Sequence, residues 1–175
     1  MPEAPEIPEA NDPFEKRAAV TIAILAVSLA VIGNKGDDAK TEAIIKTNEA
    51  ANGYAYFQAK GIKGSIASAQ QELLTLLAPS PASAGEIPEK LKKLKADEER
   101  YKEEQVEIKK DADKDKKDAE HESAINNRCD HGSLAMQIAI VLASVSILAR
   151  SQAFWIVSII LGLIGIGIGV TAFLL

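Results

Sequence analysis

Three residues of metal-ligating type, His121, Cys129 and His131, fall within eleven positions of one another. A zinc site needs four such ligands grouped in close pairs, and this spacing supplies no such pattern. Cys129 and His131 can approach each other just ahead of an apolar run. The plainer reading is polar residues beside a membrane surface, and the juxtamembrane place of Cys129 also admits lipidation. The carboxylates of 97–122 alternate with lysines. That is the pattern of a solvated helix face laced with i,i+4 pairs, each adding about 0.2–0.5 kcal/mol, and not of a catalytic acid and base. Gly162, Gly165, Gly167 and Gly169 have no strand, lysine or polar neighbour to make them a phosphate loop. No nucleophile–base pair or cofactor loop is visible. The expectation is a protein with no chemistry of its own: not an enzyme, with no catalytic or metal residues and no cofactor.

Two groups remain that can recognise rather than react. Tyr54, Tyr56, Phe57, Gln58 and Lys60 form the most distinctive polar-aromatic patch. Tyr54, Phe57 and Gln58 fall on one helical face, where they can dock a partner or simply pack against Tyr101 of a second helix. Gly165 and Gly169 form a small-xxx-small pair, extended backward by Ser158 and Gly162. That spacing lets two membrane helices approach closely, within one chain or between two. Gln137 is the amide inside the apolar runs, and it is expected to hydrogen-bond across helices and face protein. No acid or base lies within those runs, which argues against an ion pump or proton relay.

The elements that must position these residues follow from composition. The chain has 175 residues, 47% hydrophobic and 26% charged, but the two kinds are segregated: apolar toward the ends, charged in the middle. Net charge is −5 with mixed signs, so nucleic acid is excluded as a partner. The single cysteine excludes an intrachain disulfide.

Residues 1–12 are rich in Pro and Glu and read as a disordered tail. Asp12, Pro13 and Glu15 make a helix start signal. The run 18–32, extended to 13–33, reads as a first transmembrane helix. A cleaved signal peptide and a buried soluble helix compete with that reading, and the long acidic leader argues against the former. Residues 34–132 read as an extramembrane helical hairpin with its turn at 79–85, where Pro79, Pro81 and Gly85 stop a helix. In its first arm Ile44, Ala51, Tyr54 or Ala55, Gln58, Ile62, Ala69, Leu73 and Leu76 recur every three or four residues as one apolar stripe. Gly33, Gly36, Gly53, Gly61 and Gly64 weaken that arm by about 1 kcal/mol each, and bends at the membrane exit and near Gly61–Gly64 are expected. The second arm keeps a thin heptad seam of Leu91, Leu94, Tyr101, Ile108, Ala112 and Ala119, with Glu98, Gln105 and Asp115 in the remaining slots. Each arm has about 45 residues, about 65–70 Å if helical. Equal arms favour an extended hairpin, and the glycines favour a folded-over one. Residues 133–149 and 153–175 read as second and third transmembrane helices, split at Arg150-Ser151-Gln152.

The fold class expected is therefore an all-α membrane protein, with three transmembrane helices and a long antiparallel, coiled-coil-like hairpin between the first and second. Lys16, Arg17 and Arg150 share one side, which places the N-terminus in the cytoplasm and the hairpin outside.

Asn48-Glu49-Ala50, then Tyr54 to Lys60 with Ile62-Lys63, resembles the signature of the DUF4337 family, with Tyr54 where the family usually has Trp. The stretch from Leu134 to Ser144 resembles that family's second membrane segment. The resemblance implies a small bacterial membrane protein with no assigned reaction; with the orientation read from Lys16, Arg17 and Arg150, the protein is expected in the inner membrane with its hairpin in the periplasm. Two roles are compatible with these features. One is a membrane-anchored structural or interaction protein, whose partners are the lipid bilayer and either itself, as a homo-oligomer, or another membrane protein. The other is an accessory or regulatory subunit of a larger bacterial membrane complex.

Overall fold

A computed structural model describes residues 12–77 and 87–175. The tail over 1–11 and the turn expected at 79–85 lie outside the described residues. Asp12 opens the first helix: its side chain accepts the Phe14 backbone N–H at 2.9 Å, satisfying a free donor of the first turn. Helix α1 then runs through Pro13–Leu77. Helix α2 covers Ile87–Leu148 and α3 covers Gln152–Thr171. The described residues thus form an all-helical protein of three helices, two of them long. Each contains a stretch long and apolar enough to cross a membrane by length and composition. The glycines of α1 do not interrupt it, because a long helix has many other hydrogen bonds and packing to set against their backbone entropy.

Between α2 and α3 the chain reverses at Arg150, which adopts φ 47°. Ser151 N–H donates to the Ser146 carbonyl at 3.1 Å, and Arg150 N–H donates to the Ile147 carbonyl at 3.2 Å. This pair of bonds is the Schellman closure, with arginine at the left-handed position that glycine normally fills.

The helices divide into two units. The first combines residues 12–42, His121–Leu175 and therefore all of α3. Its core holds Ile32, Ala39, Ile125, Cys129, Met136 and Ala172, with Leu29 and Ile166 against them. The second unit, Ala43–Glu120, pairs the later part of α1 with the earlier part of α2. Contacts there run in opposite directions along the two helices: Gly53 meets Ala112, Lys60 meets Glu104, Gly64 meets Tyr101 and Gln71 meets Glu98.

Candidate interaction surface

In the second unit the meeting face of α1 differs from the stripe read in the sequence. Ala50 and Ala67 are buried, and Ala43, Lys46, Gly53, Phe57, Lys60 and Gly64 are half-buried. These positions recur in steps of three and four and look toward α2. Ile44, Ala51, Ala55, Gln58, Ile62, Ala69, Leu73 and Leu76 are all exposed. The physical reason is the distance between the helices. A Cβ on Gly53 would stand 2.8 Å from the Ala112 Cβ, so the two backbones come close only because glycine is there. Small residues admit the second helix, and the large apolar ones are turned outward. On α2, Leu91, Leu94, Tyr101 and Ile108 are half-buried, as are Glu98, Gln105 and Asp115 between them, while Ala112 and Ala119 are buried.

Polar side chains fix the register of this close contact. Tyr54 Oη donates to Asp113 at 2.6 Å, and this hydrogen bond first, then burial, raises the Tyr54 pKa. Lys60 pairs with Glu104. That hydrogen bond raises the Lys60 pKa and lowers that of Glu104. The Lys60 ammonium also lies 5.1 Å from the Tyr56 ring centre and 5.4 Å from that of Tyr101, within cation–π range. Gln105 Nε2 donates to the Phe57 carbonyl at 3.1 Å. It reaches that carbonyl across Gly61, where a Cβ would stand 2.7 Å from Nε2. Gln71 donates to Glu98 at 2.9 Å, and Lys102 donates to the same carboxylate at 2.6 Å, so Glu98 is held below the usual carboxylate range by Lys102 first. Of the residues singled out for docking, Tyr54, Phe57 and Tyr101 are half-buried toward the partner helix and Gln58 is exposed. Tyr54 bonds Asp113 and not Tyr101.

The first unit also turns small residues inward, here on α3. Ser158, Gly162, Gly165 and Gly169 form the buried face of α3. A Cβ on Gly165 would stand 2.8 Å from the Gly132 carbonyl oxygen, and one on Gly162 would meet Leu25. The glycine face is therefore used within the chain, against α1 and α2. Trp155 Nε1 donates to Thr21 Oγ1 at 3.1 Å, and the Phe14 ring meets Trp155 edge-on at 6.0 Å. Arg128 Nη1 reaches the Thr171 carbonyl at 3.4 Å, a cation at a helix C-terminus. Gln137 departs from expectation: it is exposed, because the buried line of α2 passes through Gly132, Met136, Ala139 and Ala143.

Cys129 is buried at 1% exposure, with its Cβ where a Cβ on Gly36 would come within 2.8 Å. Burial pushes its thiol up. His131 is exposed on the other side of the helix. The thiol thus faces packed helix and has no surface from which to accept a lipid. Among the described residues no three His, Cys, Asp or Glu side chains are grouped to hold a metal ion.

Compared with known proteins, residues 14–175 match a family model described as a domain of unknown function, DUF4337. No curated protein and no solved structure matches the chain.

Proposed function

The chain belongs to the DUF4337 family, whose description carries no activity, and from that premise we propose that it is a membrane-anchored interaction protein. Spans at 13–33, 133–149 and 153–175 form its anchor. The residues between the first two form a coiled-coil-like helical hairpin that docks copies of itself or another membrane protein.

One observation carries this reading, the distribution of side-chain sizes in the first unit. Across the spans its interior is mostly small residues, Ala18, Ala139, Ala143, Ser146, Ser158 and the α3 glycines, with Leu25, Ile32 and Met136 seated against those glycines. Along the spans the exterior is Val, Ile, Leu and Phe, with Val27 66%, Val141 60% and Leu163 62% exposed. In water that surface would cost about 25 cal/mol per Å², whereas hydrocarbon accepts it. Membrane helices associate through small residues because lipid gives large ones no reason to hide. The hydroxyls agree. Thr21, Ser28, Ser144, Ser146, Ser158 and Thr171 each donate to a carbonyl three or four residues earlier, so their donors are satisfied inside the helix, as those of Thr41, Thr47, Ser65 and Thr75 are outside the spans.

Lys16, Arg17 and Arg150 favour a cytoplasmic N-terminus, and in a bacterial inner membrane, the membrane proposed here, the hairpin is then periplasmic. Alkaline extraction of membranes tests the anchor. The protein stays in the pellet if the reading holds, and release into the supernatant rejects it.

A further inference from the structure

The outward stripe of α1 in the second unit has no partner among the described residues, and its chemistry identifies one. At about 100° per residue, every side chain within about 60° of Ile62 between residues 44 and 76 is uncharged. Its large members are well exposed: Ile44 55%, Ile62 62%, Ile66 52%, Leu73 60% and Leu76 71%. Alanines 51, 55, 59 and 69 lie between them. From residue 44 to residue 69 the stripe advances in alternating steps of four and three, the period that keeps two helices in phase. An open groove of about 590 Å³ runs beside it, lined by Ile62, Ile66 and Ala69 of the stripe and, toward α2, by Phe57 and Gln105.

We propose that this stripe is the interface between two copies of the chain, α1 against α1, parallel and in register about a two-fold axis. The inference rests on the membrane-anchored reading, since anchors in one membrane make the two α1 helices run the same way. A two-fold axis then brings each residue opposite its own copy, Ile62 on Ile62. Only a face without charge tolerates that. The exposed face of α2, with Lys92, Lys93, Glu103, Glu107, Lys109 and Lys110, would set like charges against each other. Asn48 and Gln58 are the amides in the stripe, and each carries a donor and an acceptor that its own copy can satisfy. The area is sufficient. A strip about 50 Å long and about 10 Å wide covers about 500 Å² on each copy, about 1,000 Å² in all, the lower bound of a specific interface.

The test is oxidative cross-linking of the full-length protein in native membranes, with Ile62→Cys, Leu73→Cys and Glu107→Cys compared. The unsubstituted chain, whose Cys129 is buried, is the blank. Homodimer from Ile62→Cys and Leu73→Cys but not from Glu107→Cys is the expected result. Equal yield at all three, or a cross-link to a chain of different mass, overturns it. Ile62→Glu with Ile66→Glu is the second variant. It should shift the detergent-solubilised mass from two copies to one while circular dichroism stays helical, and an unchanged mass contradicts the interface. The two readings fail separately. A protein that stays in the alkaline pellet yet is monomeric sinks the interface alone. Stripe-specific homodimer from a protein released into the supernatant keeps the stripe and removes the membrane.

Discussion

Gly132 and Gly165 lie backbone to backbone: a Cβ on Gly132 would stand 2.7 Å from the Gly165 carbonyl oxygen, and one on Gly165 would stand 2.8 Å from the Gly132 carbonyl oxygen. Neither obstacle is the end of a flexible side chain, so a methyl group there pushes two helices apart. Gly165→Ala is predicted to destabilise by about 1–3 kcal/mol, the usual cost of overpacking. Gly167, two residues on, meets nothing within 4 Å. Gly167→Ala should be neutral or stabilising by up to about 1 kcal/mol through helix propensity. Thermal unfolding in detergent, followed by circular dichroism, separates the two variants.

The meaning of the glycines was the part of the fold hardest to read in advance. Periodicity in a sequence is carried by large apolar residues, so Ile44, Ile62 and Leu73 stand out as a packing stripe and Gly53 and Gly61 as weaknesses. In the structure Gly53 admits Ala112, and Gly61 lets Gln105 reach the Phe57 carbonyl. Close approach leaves no hydrophobic signal in a sequence, because it depends on what is missing from a side chain. The α2 seam was legible because Leu91, Leu94, Tyr101 and Ile108 are large and recur at one period against a charged background. The apolar runs were legible from length and purity. Gln137 misled for a related reason: its polarity implies an internal partner, but Met136 beside it takes the buried position.

Acid and alkali should both weaken the second unit. Glu98 and Glu104 are depressed below the ordinary glutamate value of 4.5, chiefly by hydrogen bonds from Lys102 and Lys60. Their contribution is complete above that value and is lost as pH falls through the depressed pKa values. Lys60 and Tyr54 are raised above 10.5 and 10.0, chiefly by their hydrogen bonds to Glu104 and Asp113. Their contribution is complete below those values and is lost as pH rises past them. The unfolding midpoint should be flat between, and Glu98→Gln combined with Glu104→Gln should flatten the acid limb. An acid limb unchanged in the double variant would reject these pairs as its cause.

Cys129 should not react in the folded protein. It is buried and its thiol is shifted upward by burial, so little thiolate is present or reachable at neutral pH. A maleimide reagent should label it only after denaturation, and rapid labelling of the native protein would show that the packing against Gly36 opens.

Arg150 holds a left-handed backbone at φ 47° where glycine is easier. Arg150→Gly should stabilise the α2–α3 turn by about 1 kcal/mol. It also removes one of the three cations on which the proposed orientation rests. A higher unfolding temperature together with a growing inverted fraction is the expected pair of outcomes. A lower temperature would mean that the arginine makes a contact worth more than the strain.

The central claim is that the hairpin and the α2–α3 turn lie on opposite sides of one membrane. Glu107 and Arg150 are both exposed, and Cys129 is buried. Glu107→Cys and Arg150→Cys can therefore be labelled one at a time with a membrane-impermeant maleimide, in cells whose outer membrane alone has been opened. Labelling of Glu107→Cys at once, and of Arg150→Cys only after the inner membrane is permeabilised, is the result predicted. Labelling of both before that step would contradict the account.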